Sequence, residues 1–158
     1  MRELWLFLHL IAVVVWIGGM VFAHFCLRPA ALATLAPPQR LPLLSAALGR
    51  FFALVGVSLV VLWGSGVARF AQLAVSGGRA PMSWSLMAAI AAVMTVVFAV
   101  IALRLHPRMR AALAAGQIPS AAAALDRIRR LVVLNLALGA LTIAVATLGR
   151  LLDPGVGI

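Results

Sequence analysis

An all-α integral membrane protein, a four-helix bundle threaded up-down-up-down with both termini on the same side, is the fold class predicted by this sequence of 158 residues. Three observations predict it. Hydrophobic residues make up 65% of the chain and mean hydropathy is +1.17, far above a water-soluble domain. The apolar residues gather into four runs, each close to the ~20 residues a helix needs to cross the hydrocarbon core. No run alternates with period two, so the backbone must satisfy itself in lipid as helices rather than as barrel strands. A single four-span domain over residues 1–158 follows.

The first span is expected at about residues 4–27. Arg2 precedes it as in a signal peptide, but the run is too long for a typical leader and no small-x-small cleavage site follows. Phe22-Ala23-His24-Phe25, ahead of Cys26, lacks the small residues of a lipoprotein site. The loop 28–50 starts with a helical stretch at 30–35 that Pro37 and Pro38 break. The second span is expected at about 51–73 and the third at about 84–105. In the loop 106–130, residues 108–116 form a short basic amphipathic piece suited to the membrane surface. Ser120 is expected to cap a helix over 121–130, with Asp126 and Arg130 paired four residues apart. That helix leads into the fourth span, about 131–149. Gly18-Gly19 and Gly64-Ser65-Gly66 are expected to allow close helix contact or to leave room for a flat ligand.

A weak echo links the ends of spans one and three. His24-Phe-Cys-Leu-Arg-Pro-Ala-Ala-Leu and Leu105-His-Pro-Arg-Met-Arg-Ala-Ala-Leu both leave the membrane with histidine, proline, arginine and Ala-Ala-Leu. The echo predicts two similar helix pairs packed about a pseudo-axis.

Charge sets the orientation and excludes several functions. The net charge of +10 comes from arginine alone. Arg28, Arg40, Arg50, Arg104, Arg108, Arg110, Arg127, Arg129 and Arg130 fall on one side; Arg2, Arg69, Arg79 and Arg150 fall on the other. The positive-inside rule puts the first group in the cytoplasm and both termini outside, periplasmic in a bacterial inner membrane. Trp5 and Trp84 then mark the outer boundary, and Phe25, Phe51 and Phe52 the inner one. Arginines that flank spans face anionic headgroups, so the lipid bilayer and not nucleic acid is their partner. Cys26 is the single cysteine, which precludes an internal disulfide. Nucleotide-binding loops and zinc-protease patterns are missing. The spans carry no carboxylate beyond Glu3, which argues against a carboxylate-driven carrier and against acid–base hydrolysis.

What remains is a set of imidazole and thioether groups. His9 and Met87 each lie about one turn from the outer end of their spans and define an outer layer. His24, His106 and Asn135 lie near the inner ends and define an inner layer, with Cys26 and Met109 close by. His9 and His24 are about 22 Å apart along a helix and about 60° apart in rotation, so both fit one interior face. Imidazole binds haem iron, copper or zinc, and thioether sulfur favours haem iron and Cu(I). Each residue also has a plainer reading: His9 hydrogen-bonded to a neighbouring helix, His24 and His106 wetted at the boundary, Met87 as filler, Asn135 as an interhelical tie.

Leu8-His9-Leu-Ile-Ala-Val-Val-Val-Trp16-Ile-Gly18-Gly19 resembles the opening helix of the CopD-like copper-resistance membrane proteins. Leu48-Gly49-Arg50-Phe51-Phe52, running on to Trp63-Gly64-Ser65-Gly66, is similar to their second helix. Ile128-Arg129-Arg130-Leu-Val-Val-Leu-Asn135-Leu-Ala-Leu-Gly139 resembles the last helix of a small branch of that family. The resemblance covers nearly the whole chain and implies copper uptake, relay or tolerance, with metal passing between the two histidine layers. The His9–Trp16–Gly19 spacing also resembles the first helix of HemJ-type protoporphyrinogen oxidases, which implies haem b on His9. The lysine which that family leads one to expect in the third span is absent. The expected function is therefore copper handling through His9, His24, His106 and Met87. The alternatives are a b-type haem protein for electron transfer, held by His9 and a partner from span three, and a structural accessory subunit. A homodimer through the small Gly18-Gly19 face, or a redox or metal-handling partner protein, completes the expectation.

Overall fold

The computed structural model describes residues 2–78 and 80–149; Met1, Arg79 and residues 150–158 lie outside it, Arg79 and Arg150 of the charge count among them. Within the described residues every regular element is helical. Four helices are long and apolar enough to cross a membrane: α1 (Glu3–Thr34), α2 (Pro37–Val75), α3 (Met82–Ala114) and α4 (Ile118–Leu148). At 1.5 Å per residue they run for roughly 46–58 Å, against a hydrocarbon core of about 30 Å. Each therefore projects beyond the apolar zone.

The expected loops 28–50 and 106–130 are accordingly helix for most of their length. Only residues 35–36 interrupt the first and 115–117 the second. Proline explains the first break. Pro37 disfavours the helical region for the residue before it, and Ala36 is extended at φ −67°, ψ 154°. The same proline then opens α2, where first-turn N–H groups have no intrahelical acceptor and a missing donor costs nothing. Glycine explains the second. Gly116 sits at φ 69°, Gln117 N–H reaches Ala112 O at 2.9 Å and Gly116 N–H reaches Leu113 O at 3.1 Å. This is a left-handed glycine closing the helix by 6→1 and 5→2 bonds. Gly77, at φ 70°, ends α2 in the same way.

Two local expectations are corrected here. The cap expected at Ser120 is not formed, because closure at Gly116 lets α4 begin at Ile118; Gln117 holds the cap position without a side-chain bond. Residues 108–116 are not a separate surface rod either. They continue α3 to Ala114 and bury Met109 and Ala112 against the bundle. The Asp126–Arg130 pair is present at 2.7 Å, and Arg129 shares the same carboxylate at 2.7 Å.

The sequence echo has a backbone counterpart. Arg28 N–H bonds Ala23 O and His106 N–H bonds Ile101 O, each five residues back. Both donors directly precede a proline, Pro29 and Pro107. A proline ring crowds the carbonyl four residues behind it, and one wide turn moves that carbonyl aside. Aligned on the prolines, Arg28 matches His106. His24 and His106 are therefore not equivalent, and the echo is one of helix geometry rather than of ligands.

α1 packs along α2 and α3 along α4; the end of α3 meets α2, and the second half of α1 reaches α4. An edge-to-face row of rings crosses the centre: Trp16 to Phe98 at 6.4 Å, Phe98 to Phe52 at 5.8 Å, Phe52 to His106 at 5.3 Å. Met20, Val55, Met94 and Ile101 fill the space around it. Outward surfaces are apolar, as at Val60 and Leu103, a surface suited to lipid rather than water.

The glycine pairs divide. A Cβ on Gly19 would run into the Phe51 ring, so this residue does bring α1 close to α2. Gly18, Gly64 and Gly66 have open space where a Cβ would stand and mediate no close contact within the chain. The neighbours Gly18 and Gly19 thus make a matched test. Gly18→Ala is expected to keep or raise stability by up to about 1 kcal/mol through helix propensity. Gly19→Ala is expected to lose about 1–3 kcal/mol through overpacking. Denaturant or thermal unfolding of the two variants in detergent measures the difference.

Candidate functional site

His9 lies near the start of α1, on the turn that faces the last third of α2. Its Nδ1 is 2.7 Å from Ser65 Oγ, and Ser65 is completely buried. The proton on this bond is assignable. Ser65 Oγ also lies 3.0 Å from Leu62 O, a carbonyl that only accepts, so the single hydroxyl proton goes there. His9 Nδ1 is therefore the donor to Ser65 Oγ. In the uncharged ring that leaves Nε2 with its lone pair unprotonated. One turn beyond Ser65, Arg69 stacks over Trp84 at 4.9 Å, and Phe70 meets the same ring at 5.8 Å. This cation–aromatic group joins α2 to the start of α3 one turn beyond Ser65.

His106 is held differently. It follows the wide turn of α3 and inserts against α2, where Gly49 leaves room for it: a Cβ on Gly49 would come within 3.2 Å of His106 Cε1. His106 Nε2 lies 3.0 Å from Ser45 O and 3.4 Å from Ser45 Oγ. A carbonyl cannot donate, so Nε2 carries the proton. In the uncharged ring the lone pair is on Nδ1. His9 and His106 thus sit in opposite tautomers, each fixed by α2.

Asn135 is 2% exposed, in the middle of α4. Its Nδ2 donates to Met94 O on α3 at 3.1 Å, and because that carbonyl only accepts, the amide nitrogen must face it. Asn135 Oδ1 then points into the bundle with no partner among the described residues. A buried orphan acceptor costs about 1–3 kcal/mol, so this oxygen marks a place where a donor would be stabilised. Thr142 Oγ1 approaches Met94 Sδ at 3.9 Å while also donating to Leu138 O.

The expected inner layer does not bring Asn135 to His106. Asn135 is level with Met94, twelve residues and about 18 Å along α3 from His106. The helix expected from about residue 121 is continuous with the fourth span and starts at Ile118, so Asn135 lies at its middle. His24 is half-buried, edge-on to Phe25 at 4.8 Å, and lines a small groove of about 50 Å³ with Arg28 and Arg129. His106 lines another groove, between α2 and α3. Met87 packs as a half-buried member of the core, and Cys26 is exposed. Among the described residues, no three His, Cys, Asp or Glu side chains come together as a metal site.

Sequence reasoning missed the partners, Ser65 and Ser45. Their signal was present: a small polar residue beside glycine at Gly64-Ser65-Gly66, and one a turn before glycine at Ser45 and Gly49. ¹⁵N NMR of the labelled protein is expected to show His9 protonated at Nδ1 and His106 at Nε2. Ser65→Ala is expected to remove the preference at His9 and leave His106 unchanged.

No protein-family model matches the chain, and no curated protein and no solved structure matches it.

Proposed function

We propose that this protein is a CopD-like membrane protein that handles copper, with its helices crossing up-down-up-down, both termini on the outer face and the arginine-rich end in the cytoplasm. The observation that carries the reading is the fixed tautomer of His9. A metal-binding imidazole presents one unprotonated nitrogen while the other N–H is held by an outer partner. His9 has that arrangement, with Ser65 as the partner. Thioether sulfur next along the core, in Met20 and Met94, suits Cu(I) and is soft enough to pass it on. Both methionines are 2% exposed. Among the described residues no three His, Cys, Asp or Glu side chains gather as the donor set of a tightly held Zn²⁺.

A second reading rests on the same ring. An Nδ1-anchored histidine with a free Nε2 is also the form that binds haem iron axially. In that reading the protein is a b-type haem carrier of electrons.

One purification separates the readings. Detergent-solubilised protein is expected to be colourless and to hold Cu(I) against a chelator. His9→Ala is expected to lower Cu(I) affinity by at least about tenfold, and Ser65→Ala to lower it by about 10–100-fold through loss of the outer partner. A Soret band that disappears in His9→Ala overturns copper in favour of haem. A colourless protein with no Cu(I) affinity overturns both and leaves a structural accessory subunit.

A further inference from the structure

The groove beside His106 has a different chemistry from the His9 site. It has a volume of about 490 Å³ and is open to the outside. Pro42, Ala46 and Leu113 give it apolar walls, and Arg50 of α2 and Arg110 of α3 stand at its rim. Both arginines are exposed, and neither makes an ion pair or hydrogen bond among the described residues. Among the described residues no carboxylate is at hand to neutralise them. Glu3 lies at the start of α1, and Asp126 is already shared by Arg129 and Arg130.

Ser45, in the wall, adds a neutral donor. Buried serines in apolar helices ordinarily return their proton to their own helix, as Ser58 does to Leu54 O and Ser65 to Leu62 O. Ser45 makes no such bond among the described residues. Its oxygen is the minor acceptor of His106 Nε2–H, and its carbonyl is the major one. The Ser45 hydroxyl proton is therefore free for a ligand. Two unpaired guanidiniums and a hydroxyl donor converging on a half-apolar slot form an oxyanion site, and forked guanidinium recognition suits phosphate.

We infer that the groove between α2 and α3 binds a phosphate group through Arg50, Arg110 and Ser45, and that the phosphate is carried by an anionic lipid headgroup. Depth argues for the lipid. Arg50 precedes the apolar run of α2, and His106 follows that of α3, so the groove lies at the headgroup boundary. Basic pockets between spans at that level hold anionic headgroups, and the apolar walls match the glycerol and first methylenes. The inference is independent of any metal at His9.

The test measures lipid retention by native mass spectrometry and melting temperature in detergent, with phosphatidylglycerol, phosphatidylcholine or inorganic phosphate as the probe. Wild type is expected to retain phosphatidylglycerol and melt higher with it, and to do neither with phosphatidylcholine. The double variant Arg50→Gln/Arg110→Gln is expected to bind phosphatidylglycerol at least about tenfold more weakly, the loss of two charge-assisted contacts. Arg108→Gln/Arg127→Gln removes the same charge from exposed positions outside the groove and is expected to bind as wild type. Ala46→Phe fills the slot without changing charge and is expected to bind weakly. Equal loss in the two double variants, or none in either, overturns the site and leaves diffuse surface attraction. A melting shift with inorganic phosphate alone, abolished by Arg50→Gln/Arg110→Gln and with no lipid retained, overturns the lipid source and assigns the site to free phosphate.

Discussion

Inside a bundle of apolar helices, a polar atom has only the neighbouring helix to turn to, and this constraint organises the molecule. His9 bonds Ser65 between α1 and α2 at 2.7 Å, and Trp63 donates to Thr95 between α2 and α3 at 3.2 Å. His106 donates to Ser45 O between α3 and α2 at 3.0 Å, and Asn135 to Met94 O between α4 and α3 at 3.1 Å. Every consecutive pair of helices is tied at least once. Such ties are worth only about 0.6–2 kcal/mol each in a membrane, less than the packing they accompany. Their value is directional. Apolar side chains pack against one another or against lipid with little preference for rotation, whereas a hydrogen bond is lost when a helix turns by one residue.

The same constraint settles the chemistry of the rings. A histidine in water exchanges freely between tautomers, and either nitrogen meets a metal. In this bundle the acceptor on α2 decides which nitrogen is protonated. Ser65 Oγ, with its own proton committed to Leu62 O, draws the proton to His9 Nδ1; the carbonyl of Ser45 draws it to His106 Nε2. The serines of α2 thus determine which nitrogen each ring offers a ligand. Asn135 is the counterexample that sharpens the rule, because one end of its amide is satisfied and the other is not.

The gross fold was legible in the sequence because hydropathy reports the solvent, and four apolar runs admit little besides four helices. Hydropathy does not report where a helix stops. The stops are set by Pro37 acting on Ala36 and by left-handed Gly77 and Gly116, and between those points polar sequence continues as helix. This is why the loops 28–50 and 106–130 were drawn too long and Asn135 was placed too near the arginine-rich end. The Asp126–Arg130 pair was legible because it is local. The partners of His9 and His106 were not, since each lies more than fifty residues away on another helix. Rotation about a helix axis, which decides whether Gly18 or Gly19 meets α2, is a property of the assembled bundle. Two adjacent glycines look alike in sequence.

Packing at the centre also weighs an ion against a macrocycle. Protein interiors are filled to crystalline density, so a guest needs either a cavity or a rearrangement. The space between α1 and α3 is held by Trp16 against Phe98 and by Met20 and Met94, and the row continues through Phe52 to His106. A porphyrin on His9 that reached α3 would need space between these helices where side chains now pack. A single ion needs only a change of rotamer in an unbranched thioether, the side chain best able to make one without opening a void. Wide turns at Val14–Gly18 and Ile101–Leu105 flank this row, where the helical bonds are already loosened. Wide turns of the backbone and unbranched methionine side chains therefore meet at the centre of the bundle.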